Sequence, residues 1–247
     1  MRLRHKLLLA LVAVALAGYA SMASAQTLDF SDVKPNGPLS GRIVQLVAVL
    51  TILSIAPSLL VMTTSFTRFV IALSFLRSGL GLQSTPGNIV LVSLAMFLTI
   101  FVMSSTFEKA WNEGVQPLVE QKINEKEAAE RIIAPFREFM AANVREADVR
   151  LLQNLRREKS GGADETVVGL AILVPAFMMS ELRRGFEIGF LIALPFLVID
   201  LIVATITMSM GMMMLPPSVI GLPVKVLFFV LIDGWSLLIG GLVRSYS

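Results

Sequence analysis

The 247-residue chain is 55% hydrophobic with a mean hydropathy of +0.76, outside the range of soluble globular domains and typical of a polytopic membrane protein. It has no cysteine and a single histidine, His5, and its formal charge of +3 comes from three bases ahead of residue 26, so the remainder is formally neutral. The basic isoelectric point therefore gives no argument for nucleic acid. Once His5 is removed with the leader, Ser/His and Cys/His nucleophile systems and histidine or thiol metal sites are excluded as well.

Arg2, Arg4 and Lys6 precede an apolar run over residues 7–17, and Ala23-Ser24-Ala25 offers a small-x-small cleavage site, so residues 1–25 read as a secretory signal peptide. The alternative is an uncleaved first anchor, for which the run is short. A cleaved leader followed by apolar spans implies a bacterial inner-membrane protein whose mature amino terminus starts outside the cytoplasm. Residues 26–42 form an exposed, turn-rich lead-in around Pro35-Asn36-Gly37-Pro38.

Residues 43–107 read as a first hydrophobic hairpin region. Residues 43–62 are charge-free and long enough to cross a bilayer of roughly 30 Å, with Pro57 expected to kink the end. Residues 69–76 are too few to span, and are either a continuation of the first helix or the returning arm of a bent hairpin. A turn at Thr85-Pro86-Gly87 leads to a second charge-free span over 89–107. Arg68 and Arg77 fall between the two spans with no acid beside them, which places that connection on the cytoplasmic side.

Residues 108–165 carry twelve acids and ten bases and form a charged helical region outside the membrane, on the periplasmic side. Ile132, Ile133, Phe136, Phe139, Met140 and Val144, then Leu151, Leu152 and Leu155, recur at helical spacing. Asn124-x-x-Glu127 is a capping box opening the first helix. Pro135 is expected to bend that helix or mark its true start, and the second helix ends at Ser160-Gly161-Gly162.

Residues 166–247 form a second hydrophobic hairpin region: apolar pieces over 167–182 and 186–214, the latter broken at Pro195, then a last arm over 224–243 interrupted by Lys225 and Asp233. Glu181, Arg183, Arg184, Glu187 and Asp200 lie inside or against these pieces, where hydrocarbon makes each expensive unless paired or wet. Helical spacing allows Glu181 to pair with Arg184 and Arg183 with Glu187. Asp200 has no local partner, Arg184 and Lys225 being too far along the helix, so it needs one from another segment, another subunit or water. These charges read as assembly contacts, with proton coupling at Asp200 or Glu187 the sharper alternative. Met208, Met210, Met212, Met213 and Met214 crowd one short stretch, either as gap-filling packing or as a soft plug at a helix break.

Four strings occur in one order. Pro175-Ala-Phe177-x-x-Ser180-Glu181-Leu-x-x-Gly185-Phe186-x-Ile188-Gly189 and Pro195-Phe-x-x-Ile199-Asp200 are supported by Thr64-Ser65-Phe66-x-Arg68 and Met208-Ser-Met-Gly-Met-Met-Met214-Leu-Pro-Pro217. Together they resemble the FliP family, called SctR in virulence systems, of the flagellar and type III secretion export gate. The leader and the long middle region look like the flagellar branch.

The resemblance implies an all-α, polytopic integral membrane protein of bent helical hairpins with a charged helical extramembrane region, assembling into a helical pore complex. It implies a non-enzymatic subunit without cofactor or metal, joined by other copies of itself, by FliQ and FliR, and by FlhB and FlhA. Unfolded rod, hook and filament subunits would pass through, at the inner membrane within the flagellar basal body and largely at the periplasmic level. The family's methionine gasket maps onto Met212, Met213 and Met214, with Met210 as a possible fourth. The competing classes are a virulence injectisome gate and a secondary transporter of small solutes, though no internal repeat links residues 43–107 with 167–243. An intramembrane aspartyl enzyme would need facing acids, for which Asp200 and Asp233 are a weak pair.

Overall fold

The computed structural model describes residues 61–82, 84–160, 169–211 and 216–246, with isolated helical positions between 47 and 58. The expected signal peptide, the lead-in and most of the first span lie outside the described residues, as do Met212, Met213 and Met214. Every regular element among the described residues is helical. We number the helices α1 (Phe66–Gly79), α2 (Asn88–Val102), α3 (Ser104–Ala110), α4 (Gln116–Val119), α5 (Glu125–Asn143), α6 (Glu146–Ser160), α7 (Leu170–Ser209), α8 (Pro217–Leu231) and α9 (Gly234–Arg244), with a π-helical turn at Trp111–Val115 between α3 and α4.

The organising element is α7. It runs 40 residues without a break, about 60 Å at 1.5 Å per residue, and carries both Pro175 and Pro195 inside it. The two apolar pieces read as separate are therefore one helix, and the expected break at Pro195 is absent. Each proline removes one backbone hydrogen bond, and the packing beside it compensates: Phe177, two residues after Pro175, is fully buried, and Phe196, next to Pro195, is nearly so.

α1 runs parallel to α7 in a fixed register. Arg68 meets Glu181, a Cβ on Gly185 would touch Ile71, one on Gly189 would touch Phe75, and one on Gly79 would touch Phe196 and Ala193. Glycines at a spacing of four open a groove on α7 that lets the α1 backbone come close, as small residues do in membrane helix pairs. After the turn, where Arg77 Nη1 donates to Asn88 Oδ1 (2.5 Å), α2 returns along α1 and buries Leu91, Ala95 and Leu98.

α8 runs back along α7. Gly221 and Lys225 lie against Asp200, and further on Phe228 and Phe229 meet Phe196. Asp233, in the left-handed region at φ 50°, separates α8 from α9, which turns by 66°. Aspartate tolerates that conformation better than most side chains.

One described helix, α7, is long and apolar enough to cross a membrane, and up to three spans result if each bent pair counts as one. The other bend, of 67°, falls at Met103 inside the stretch read as a second charge-free span over 89–107.

The charged region folds as two amphipathic helices on α7. The Asn124 side chain accepts from the Glu127 N–H (2.8 Å) and opens α5, as its capping sequence predicts. Pro135 neither starts nor ends the helix, which begins at Glu125 and continues to Asn143. Met140 packs with Leu173 and Phe177 of α7, with Phe139 and Val144 alongside. Phe136 meets Phe107 edge-on, while Leu151 and Leu155 of α6 stay exposed. α6 runs to Ser160. Residues 161–168, which include the predicted Gly161-Gly162 stop, lie outside the described residues.

Candidate functional site

Two ionic nodes tie these helices together. At the first, Arg68 and Glu181 are both fully buried and form a two-pronged pair: Nε of Arg68 donates to Oε2 (2.9 Å), and Nη2 pairs with Oε1. The remaining guanidinium nitrogen, Nη1, donates to the Ser245 carbonyl (3.0 Å) and to Ser245 Oγ (2.8 Å). The Tyr246 hydroxyl donates to Oε2 of Glu181, and its ring lies 3.6 Å from Cζ of Arg68 in a cation–π contact. Burial, and after it the neighbouring Glu181 carboxylate, raises the Tyr246 hydroxyl far above the ordinary phenol range, so it remains a neutral donor.

Arg68 is therefore not a loop charge. It sits in the first turn of α1 at zero exposure, and its weight in the charge argument for a cytoplasmic connection falls away. The local Glu181–Arg184 pair is likewise replaced: Glu181 turns inward to Arg68, leaving Arg184 half-buried with no hydrogen bond or ion pair among the described residues. Arg183 and Glu187 do pair (3.0 Å), on the exposed face of α7.

The second node joins three segments at the other end of α1. Lys225 Nζ donates to Asp200 Oδ2 (2.5 Å) and to the Gly79 carbonyl (3.0 Å). The Asp200 side chain is 45% exposed and that of Lys225 only 6%. Lys225 is remote from Asp200 only along a continuous helix; the reversal between α7 and α8 brings it back, so the partner from another segment is Lys225 itself. With Asp200 engaged there and Asp233 at the bend before α9, the two acids make no paired-carboxylate arrangement among the described contacts.

The node makes a signed prediction. Asp200→Ala strands a buried ammonium and should cost about 2–4 kcal/mol, whereas Lys225→Met leaves a half-exposed carboxylate that water can solvate and should cost about 1 kcal/mol or less. Thermal unfolding of the detergent-purified chain should rank them in that order.

The other signature residues have structural tasks. Ser180, fully buried, accepts from the Arg145 N–H (3.0 Å) and lies 2.7 Å from Asp148 Oδ2, fastening the start of α6 to α7. Phe177 meets Phe139 edge-on, and Phe186 does the same with Phe75. Ser65 N–H donates to Met103 Sδ (3.4 Å), which joins the break before α1 to the bend after α2. Met210 is exposed at the carboxyl end of α7, and Gly211 follows at φ +71°, the left-handed conformation that ends a helix.

The model of the FliP family matches residues 49–242, a range that holds the Arg68–Glu181 and Asp200–Lys225 pairs and all four strings. The chain belongs to the FliP family. It is 58% identical to the flagellar biosynthetic protein FliP of Agrobacterium fabrum over 92% of this chain and 94% of that protein. The corresponding Rhizobium meliloti protein is 54% identical over 94% of this chain and 96% of its own length. That of Bacillus subtilis is 46% identical over 82% and 91%. In this chain the serine–glutamate and threonine–serine–phenylalanine strings bring Glu181 of α7 and Arg68 of α1 into one buried node. The part that sequence reading missed is the carboxyl-terminal Ser245-Tyr246, which belongs to no string. The signal available for it was weak: one of two tyrosines in the sequence, at position 246 of 247.

Proposed function

We propose that this chain is a pore-forming subunit of the flagellar type III protein export gate in the bacterial inner membrane, without enzymatic activity or cofactor. It assembles with further copies of itself and with FliQ and FliR subunits, is joined by FlhB and FlhA, and passes unfolded rod, hook and filament subunits. Family membership over most of the chain carries the reading, and the named relatives, all flagellar, favour it over an injectisome gate. Exposed apolar side chains along α7 and α8, among them Leu191, Leu201, Leu227 and Val230, supply surface for lipid and for neighbouring subunits. Arg183 and Glu187, exposed on one chain, are assigned to contacts between subunits, as is the half-exposed Arg184.

Met212, Met213 and Met214, with Met210, are assigned to the gasket of the closed pore. Flexible thioether side chains seal a narrow opening and deform around an extended chain. Affinity purification should recover a large ring of several copies with two small membrane proteins; a lone monomer that transports a labelled solute would instead establish the transporter reading. Changing Met212, Met213 and Met214 together to Ala should leave assembly intact and raise resting ion conductance several-fold. Unchanged conductance would remove the gasket assignment.

A further inference from the structure

Arg68 brings more donors into the fully buried site than Glu181 takes, and an unpaired donor there costs free energy. Ser245 supplies the missing acceptors through its carbonyl and its hydroxyl oxygen. Tyr246 then covers the node: its hydroxyl reaches Glu181 and its ring lies over the guanidinium. The same ring stands edge-on to Phe69 of α1 (centroids 5.7 Å) and stacks on Phe139 of α5 (5.8 Å). Ser245 and Tyr246 thus touch α1, α5 and α7 at one point.

We propose that Ser245-Tyr246 is a latch, a positioning element that completes the Arg68–Glu181 pair and holds the segment after α9 on the same side of the membrane as the charged helices α5 and α6. The side follows from the stacking distance, since 5.8 Å between Phe139 and Tyr246 leaves no room for a bilayer between them. The latch closes within a single chain and stands apart from the export-gate reading. Purified chain and whole cells can test it even where no ring forms.

Tyr246→Phe keeps the ring and removes only the hydroxyl, so the variant should fold. Its unfolding midpoint in detergent should fall by roughly 3–10 °C, and truncation after Arg244 should lower it further. In a chain that carries Arg68→Met and Glu181→Gln together, so that no buried charge is stranded, the same Tyr246→Phe change should lose about half of its effect, because a hydrogen bond to a neutral acceptor has about half the strength of one to a carboxylate. Equal drops in both backgrounds, or no drop in either, would overturn the latch.

The absence of cysteine makes the second test clean. A cysteine appended after Ser247 and one placed at Glu130→Cys on the exposed face of α5 should react with a membrane-impermeant maleimide from the same side. Labelling from opposite sides would overturn the proposal regardless of any effect on stability.

Discussion

Glu181→Leu should prevent the chain from accumulating in folded form, and adding Arg68→Met to the same chain should restore it. Both side chains of the pair are at zero exposure. Truncating one partner leaves an uncompensated charge where water does not reach, at a cost of about 3–5 kcal/mol, a large share of the 5–15 kcal/mol that typically holds a domain together. Truncating both removes the stranded charge and replaces it with apolar volume, which is often neutral or stabilising. The Ser245 and Tyr246 groups that served the pair remain to be satisfied, so recovery should fall short of the parent by about 1–2 kcal/mol. Charge exchange between Glu181 and Arg184 should give no rescue, because Arg184 makes no bond to Glu181. Protein yield and thermal unfolding of the four chains decide the matter; a double variant as damaged as Glu181→Leu would show that the charges themselves are needed, through contacts beyond this chain.

How far the sequence reveals such a node depends on distance along the chain. The Asn124 cap and the Arg183–Glu187 pair are local, set by helical spacing alone, and both are found where the spacing puts them. Glu181 and Arg68 are 113 residues apart, and a nearer base, Arg184, offers a pairing of acceptable spacing on paper. A signal was nonetheless present: no acid occurs between residues 43 and 107, so Arg68 in that apolar stretch needs a remote carboxylate for the same reason that Asp200 needs a remote base. Lys225 was set aside because distance was measured along one continuous helix, whereas α8 runs back along α7. The unbroken α7 escaped notice for a different reason. A proline's cost is local and visible, while the packing of Phe177 and Phe196 that offsets it belongs to tertiary structure.

Gly189→Ala should destabilise the chain even though alanine is the better helix former. On propensity alone the change is worth about 1 kcal/mol in favour of alanine. Against this, a Cβ at Gly189 would lie 2.6 Å from Cδ2, 2.7 Å from Cγ and 2.9 Å from Cβ of Phe75. The last of these atoms is fixed to the α1 backbone, so relief requires α1 to move off α7, and overpacking of this kind costs about 1–3 kcal/mol. Moving α1 also pulls Arg68 away from Glu181 and Gly79 away from Lys225, because one register sets all of these contacts. The net loss should therefore be about 1–3 kcal/mol, or roughly 2–10 °C in the unfolding midpoint, and Phe75→Ala should recover part of it by clearing the ring atoms. Gly241 in α9 is the matched control, since nothing lies within 4 Å of a Cβ built there. Gly241→Ala should leave the midpoint of the purified chain unchanged or raise it, and if the two alanines behaved alike, helix propensity rather than close approach to α1 would be setting the result at residue 189.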